Sequence, residues 1–330
     1  MNTPDSAPRM TRRVVLAGAV GTAALLGLNR VSARAQTSTP VAGDFSSLGF
    51  PELNVTITDS GYEGIPESLP AGRYLLTATA NTSEPSSPDQ QPPTIAFLSP
   101  TPAGMSANDF LQMFMAPPPD ASPSAGGDQG GGDQGGGDFM LPLPVYQMKF
   151  AGGTMVVPGQ SEQAIVDLTA GEWIAWGDDP EVSTAPTIFT VTGDFPADVQ
   201  DPDADITATL IDFAISFEGT LKAGKQVIKV QHQGAQPHFL ELDKGPDSMT
   251  KEEVEAALSG EMSGTPTAGG VSDSDLHPVF YSPTQSIGTT TWHHIDLPSG
   301  TLLAACFFPT AGTGVPHAMN GMIDVIKVSE

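Results

Sequence analysis

Cysteine is nearly absent: the 330-residue chain has one, Cys306. A single thiol forms no internal disulfide, so no disulfide framework holds this fold. Three roles remain for it: a buried inert thiol, a bridge to another molecule, or a metal thiolate. Histidine is missing from the first 231 residues, and all six histidines follow them. Any imidazole chemistry therefore belongs to the C-terminal part. Basic residues are scarce as well, 13 Lys and Arg against 38 Asp and Glu, for a formal charge of −25. Arg9, Arg12, Arg13, Arg30 and Arg34 all lie before Gln36, which leaves the remainder more acidic still. Such a surface repels nucleic acid and anionic lipid, and it suits a basic or cationic partner. No apolar run of roughly 18 residues follows Gln36, so no stable membrane insertion is expected. Also lacking are G-x-S-x-G, a phosphate-cradling glycine loop with lysine, and H-E-x-x-H. No carboxylate pair stands out from the acidic background, so no catalytic residue is assigned and the chain does not read as an enzyme.

What is present begins with the N-terminus. TRRVVL (residues 11–16) leads into the Gly/Ala-rich apolar stretch Val14–Leu28, and Ala33-Arg34-Ala35 supplies a small-x-small cleavage site. A basic front, a short apolar core and a cut site describe an export signal over residues 1–35. The paired arginines resemble a twin-arginine signal; an ordinary secretory signal with two arginines is the other reading. Both predict an exported protein (periplasm, cell surface or extracellular) cut near Ala35. Residues 36–44, rich in Ser, Thr and Pro, read as a tether.

Beyond the tether, short β-type runs bounded by Gly and Pro predict an all-β fold. LNVTITDSGY, RYLLTATAN, EQAIVDL and TIFTVTG come first, then LIDFAISF, KQVIKVQH, TTWHHIDL and GMIDVIKV. Two helices interrupt them. MSANDFLQMFM (105–115) has Ser106 and Asn108 as caps, with Phe110, Phe114 and the methionines read as core. DSMTKEEVEAALSG (247–260) carries Thr250 and Glu253 as a capping box and stops at Gly260. The order of elements occurs twice: PAGRYLLTATAN matches KAGKQVIKVQHQG, and APTIFTVTG matches PHAMNGMIDVIKV. This predicts a tandem duplication, with domains over 45–196 and 206–330 and the boundary in the acidic stretch Asp194–Asp205. Each half carries one short helix and a long loop. In the first half the loop holds a Gly/Asp-rich repeat (122–138), with Asp128, Asp133 and Asp138 at five-residue spacing. Calcium-binding Gly/Asp repeats have a nine-residue period, so flexible, solvated chain is the reading here.

The chemistry-bearing residues sit in two stretches, HQGAQPHFLEL (232–242) and LAACFFPTAGTGVPHAMNGMIDVIKV (303–328). They offer imidazole, thiolate and thioether, the donor types of an electron-transfer copper site. GAQPH and PHAMNGMIDVIKV resemble the ligand segments of the cupredoxins, the blue-copper family. The motifs cover residues 206–330, and repetition extends the resemblance to 45–196. The resemblance implies two tandem cupredoxin-like Greek-key β-sandwiches, the first without metal ligands. It implies one copper ion in the second, held by His238, Cys306, His317 and Met322, and one-electron exchange with a redox protein partner. Ten residues separate Cys306 from His317, a longer interval than the family uses. Pro309, Gly312, Gly314 and Pro316 favour turning there. The alternative is a metal-free extracellular binding or interaction module on the same scaffold, with Cys306 and Met322 as core. Oxidase and reductase readings lack a second copper site: no His-x-His pair occurs, and Ala305 and Phe307 flank Cys306. His293 and His294 are adjacent in a strand and are expected to face opposite sides of the sheet.

Overall fold

Period-two alternation translates directly into strands whose buried side chains face one interior. ELNVTIT, for example, buries Leu53, Val55 and Ile57 and exposes Glu52 and Asn54. The computed structural model describes residues 45–83, 92–115, 140–178, 184–262 and 271–330. The export signal, the tether and the Gly/Asp-rich loop lie outside the described residues.

The strands of the first half are β1 (Glu52–Thr58), β2 (Gly61–Glu63), β3 (Ser68–Pro70), β4 (Gly72–Asn81), β5 (Thr94–Ser99), β6 (Lys149–Met155), β7 (Ser161–Leu168), β8 (Gly171–Trp176) and β9 (Thr187–Thr192). Those of the second are β10 (Ile206–Ile211), β11 (Ala214–Gly219), β12 (Gly224–His232), β13 (His238–Lys244), β14 (His277–Gln285), β15 (Thr290–Leu297), β16 (Gly300–Ala305) and β17 (Ile323–Val328). Helix α1 spans Ala107–Met115 and α2 spans Lys251–Met262. The fold is thus mostly β, as the sequence predicts.

Two sheets form, and each runs through both halves. One has the order β11-β10-β12-β15-β7-β4-β1-β2, the other β17-β16-β13-β14-β6-β5-β8-β9-β3. The halves meet edge to edge where β15 pairs with β7 (Trp292 with Ile165, His293 with Ala164) and β14 with β6 (Gln285 with Ala151). These seams are short, so side chains complete them. Ser286 Oγ donates to Met148 O and accepts from Phe150 N–H, both at 2.9 Å. Gly152 (φ +76°) faces Thr291 Cγ2, which a Cβ would meet at 2.7 Å, so this crossing requires glycine. One core cluster also crosses the junction, joining Phe110, Phe150 and Trp176 to Phe239, Leu303 and Phe308.

Both helix starts follow their cap chemistry. Ser106 Oγ accepts from Asp109 N–H at 3.1 Å, which makes Ser106 the cap of α1. Thr250 and Glu253 exchange both capping-box bonds, at 3.0 and 3.2 Å. α2 runs two residues past Gly260, because its interior glycine is merely a weak helix former, not a stop. Met105, Met113 and Phe114 pack against the core as expected. The acidic boundary stretch is anchored across the outer face of the first sheet. Arg73 donates to Gln200 O and Asp201, and its guanidinium stacks 4.4 Å above the ring of Trp292.

LIDFAISF departs from its sequence reading. It is a tight β10–β11 hairpin, not one strand, with Asp212 and Phe213 at its tip. That tip lies at the pole where the histidines and cysteine converge.

Candidate metal centre

Three strand ends build the site. β16 ends at Ala305 and delivers Cys306, with no exposed surface. β13 begins at His238, its neighbour in the sheet being β16. The segment before β17 supplies His317 and Met322, both fully buried. Backbone bonds lock the pole. Cys306 N–H donates to Met322 O (3.1 Å), Met322 N–H to His317 O (3.0 Å) and Ala318 N–H to Cys306 O (2.7 Å).

The side chains of His238, Cys306 and His317 meet, their ligand atoms all within 4.8 Å of one another. They are the sole such group of His, Cys, Asp and Glu among the described residues. Cys306 Sγ lies 3.8 Å from His238 Nδ1 and 3.7 Å from His317 Nδ1, and the two Nδ1 atoms are 2.8 Å apart. Of the four candidate ligands, these three come together by side chain. Met322 stands beside them through its backbone bonds to Cys306 and His317.

The long Cys306–His317 interval has a specific structure. His317 N–H donates to Phe308 O (2.9 Å), Pro309 bridges Pro316, and Thr310 N–H donates to Val315 O (2.8 Å). Residues 309–316 therefore form a hairpin with its neck closed at Phe308 and His317. Beneath that neck, only Phe307 and Phe308 separate the cysteine from the point where the chain returns. The tip is pinned at Ala311, whose N–H donates to Gln236 Oε1 at 2.7 Å. Asn320 Nδ2 donates to Thr310 Oγ1 at 2.8 Å.

Asp212 sets the proton positions. A carboxylate accepts, so the 2.7 Å contact of Asp212 Oδ1 with His238 Nε2 places a proton on Nε2. This leaves the His238 Nδ1 lone pair to accept from His317 Nδ1–H at 2.8 Å, with Cys306 Sγ 3.8 Å away. Asp212 is itself held by Ala235 N–H (3.0 Å) and Gln236 N–H (3.2 Å). Gly234 makes room for the pair, since a Cβ there would sit 2.6 Å from His238 Nε2. His232 stacks on His238 with ring centroids 4.8 Å apart, and its Nε2 pairs with Gln236 O at 2.8 Å. Phe213 packs edge-on over His317 at 5.0 Å.

Burial dominates the electrostatics. Desolvation pushes the Cys306 thiol up to about 12, against amide bonds from Phe239 and Phe308 that favour the thiolate. Desolvation, with the nearby His238, holds His317 down at about 3. His238 is also lowered by burial, and Asp212 opposes the shift. Asp212 is lowered overall: burial works upward, but the bonds from His238, Ala235 and Gln236 outweigh it. All three donors of the cluster are thus neutral near pH 7.

The donor set fits a metal ion. With metal–nitrogen and metal–sulfur bonds of about 2.0 and 2.3 Å, a trigonal site has nitrogen–sulfur edges of roughly 3.8 Å. The two nitrogen–sulfur distances, 3.7 and 3.8 Å, already match. The nitrogen–nitrogen edge would have to open from 2.8 Å to roughly 3.5 Å, replacing a hydrogen bond. The thiolate that burial disfavours would gain its counter-charge from the ion.

Sequence reasoning missed Asp212, His232 and the neck of the hairpin. A carboxylate inside the apolar alternation of LIDFAISF is the one sequence signal for Asp212. His293 is buried, with Nε2 2.8 Å from Thr291 Oγ1, while His294 faces the other side and stacks on Phe45 at 4.1 Å. Neither joins the cluster. At the corresponding pole of the first half, Asp178 N–H donates to Thr94 Oγ1 (2.9 Å), and Asp178 accepts from Thr284 and Tyr281.

No family model matches the chain, and no curated protein matches it. Among solved structures it is similar to cupredoxins at low identity and over part of its length. The dithionite-reduced auracyanin of Roseiflexus castenholzii is 15% identical over 38% of this chain and 95% of that one, with a TM-score of 0.26. Auracyanin A of Chloroflexus aurantiacus, a "blue" copper protein, is 22% identical over 37% of this chain and 95% of that one, with a TM-score of 0.24. An azurin of Methylomonas sp. strain J is 15% identical over 38% and 96%, with a TM-score of 0.24. Function is therefore read from the site geometry.

Proposed function

We propose that this chain is an exported, cupredoxin-like copper protein that carries single electrons through one type 1-like site in its C-terminal half. The observation that carries the reading is the convergence of two imidazole nitrogens and one thiol sulfur, fully buried, with both nitrogen–sulfur edges at lengths suited to an ion between them. His238 and His317 would hold the ion through Nδ1 and Cys306 through Sγ, with the adjacent Met322 as a weaker thioether donor. Bound copper would supply a reversible one-electron couple. The chain supplies the rest. Asp212 keeps the His238 proton on Nε2, the amides of Phe239 and Phe308 face the sulfur, and burial excludes water from the donors. A site closed by backbone bonds before the ion arrives needs little rearrangement when its charge changes.

In this reading residues 45–196 and 206–330 are duplicated sandwiches, a division supported by the matching strand orders on either side of each seam. The first is a scaffold without ligands, and residues 1–35 are removed on export. Among the described residues no helix is long and apolar enough to cross a membrane. The acidic surface would favour a basic redox partner, whose association should weaken with moderate salt; unchanged association would remove that electrostatic idea.

The test is one equivalent of copper(II) added to the chain from Gln36, with visible spectrum and metal content after desalting. A stable one-to-one complex with an intense thiolate-to-copper band, absent in Cys306→Ser, supports the reading. No retained copper would leave a metal-free interaction module as the function to pursue.

A further inference from the structure

The first half of the chain has no imidazole to offer a metal, yet one of its side chains reaches the ligand loop. Tyr146 lies in a 3-10 turn, Leu143–Gln147, just ahead of β6. Its hydroxyl donates to Pro309 O at 2.9 Å. Pro309 is the residue next to the hairpin neck. The Tyr146 ring also packs edge-on against Phe308, with centroids 5.9 Å apart at 89°. Phe150, on β6, contacts the same Phe308 ring at 6.3 Å. Phe308 in turn lies 5.9 Å from the His317 ring, and its carbonyl closes the neck with His317 N–H.

We propose that the first half is a working part of the metal centre, with Tyr146 a positioning residue that clamps the Cys306–His317 hairpin from across the seam. This rests on the copper reading above. A long ligand loop returns His317 to the sulfur through that neck, which acts together with the Ala318 N–H bond to Cys306 O below it. On the second half's own side the hairpin is held by Gln236 at Ala311 and by Asn320 at Thr310, both beyond the neck. At the neck itself, where His317 already meets Phe308, Tyr146 and Phe150 add contacts to Pro309 and Phe308 from the first half. The phenol is suited to this: burial holds its proton firmly (pKa pushed up to about 12), so it remains a donor throughout the neutral range. A seam of three paired residue positions would then serve a purpose beyond adhesion. It fixes the two halves in one register, so that a turn of the first meets the ligand loop of the second.

The experiment is Tyr146→Phe in the full chain, which keeps the ring against Phe308 and removes only the hydroxyl. Two readouts apply. One is the rate at which copper leaves to a chelator. The other is amide exchange at His317 in the metal-free protein, normalised to amides in β16 and β12. The clamp predicts copper release faster by about tenfold and selectively faster exchange at His317, with the reference amides unchanged. Equal copper release and equal His317 exchange in variant and parent would overturn it. So would a uniform rise in exchange across all amides, since that marks general destabilisation. If the parent protein retains no copper, the copper reading falls, and the exchange measurement still decides whether Tyr146 holds the neck.

Discussion

Removing the carboxylate of Asp212 should cost the site metal affinity far more than it costs the fold. In Asp212→Ala, three donors lose their acceptor: His238 Nε2–H, Ala235 N–H and Gln236 N–H. The two amides lie on the exposed side of the pole, and water replaces the carboxylate there. His238 has no exposed surface, so its Nε2–H is stranded. A buried unpaired donor costs about 1–3 kcal/mol. The metal-free protein can move the proton to Nδ1 and donate it to His317 Nδ1, 2.8 Å away. His317 must then carry its own proton on Nε2, which has no partner among the described residues, so one unpaired N–H remains either way. With Nδ1 on a metal the ion polarises the ring and makes Nε2–H a stronger donor, so leaving it unpaired costs more in the bound state than in the metal-free one. At about 1.4 kcal/mol per tenfold, affinity should drop roughly 5- to 150-fold. Loss of an outer-sphere partner to a ligating histidine typically costs about 10- to 100-fold, which agrees. Asp212→Asn keeps an oxygen for Nε2–H and should lose less, about tenfold, while removing the negative charge that favours the oxidised ion. Gly234→Ala is an independent route to the same damage, because its Cβ would enter the Asp212–His238 contact. Competition titration with a copper chelator at pH 7, beside thermal unfolding of the metal-free proteins, gives both quantities. If Asp212→Ala bound copper as tightly as the parent, or if its whole loss were matched in the metal-free stability, the proton-holding role would be wrong.

Away from the site, His293 should make the metal-free protein acid-sensitive. Burial holds this histidine down at about 3, whereas an unfolded histidine takes up its proton near pH 6.5. Between those values the unfolded state binds more protons, so stability falls as pH falls through that window. From pH 6.5 to 5 the contribution of His293 should be a loss of about 1.6 kcal/mol. Chemical denaturation at both pH values measures it, and His293→Gln should flatten that part of the profile; an equally steep profile in the variant would assign the effect elsewhere. Cys306 in the metal-free protein should resist a thiol reagent at pH 8, since its thiol is fully buried and pushed up to about 12. Reaction at the rate of an exposed cysteine would refute the burial.

The strands were legible in the sequence because period-two alternation has one cause, an interior on one side of each sheet. The ligand types were legible because His and Cys are few here, and Cys306 and His317 fall close to Met322 near strand ends. Asp212 was hidden because the run containing it alternates on both sides of a turn, so the hairpin reads as one strand. Tyr146 was hidden for a different reason. It sits in LPLPVYQMKF, which has no periodicity, and its partner carbonyl lies 163 residues away. That partnership exists only once both sheets have joined at the seam, and no local pattern encodes it.

The spacing between Cys306 and His317 counts residues, whereas a metal site would depend on distances. A loop lengthened by a factor of two adds only about 0.6 kcal/mol of closure entropy when it is flexible. Here residues 309–316 leave and return through a neck one hydrogen bond wide, from His317 N–H to Phe308 O. The site below that neck meets a short, closed ligand loop, whatever the length above it. In the copper reading, preorganisation is then a property of what holds the neck, and the residues that would decide metal binding extend from the donors to Phe308, Pro309 and Tyr146. It follows that shortening the tip between Thr310 and Val315 should leave the donor geometry intact, whereas opening the neck should not, even with every donor still in place.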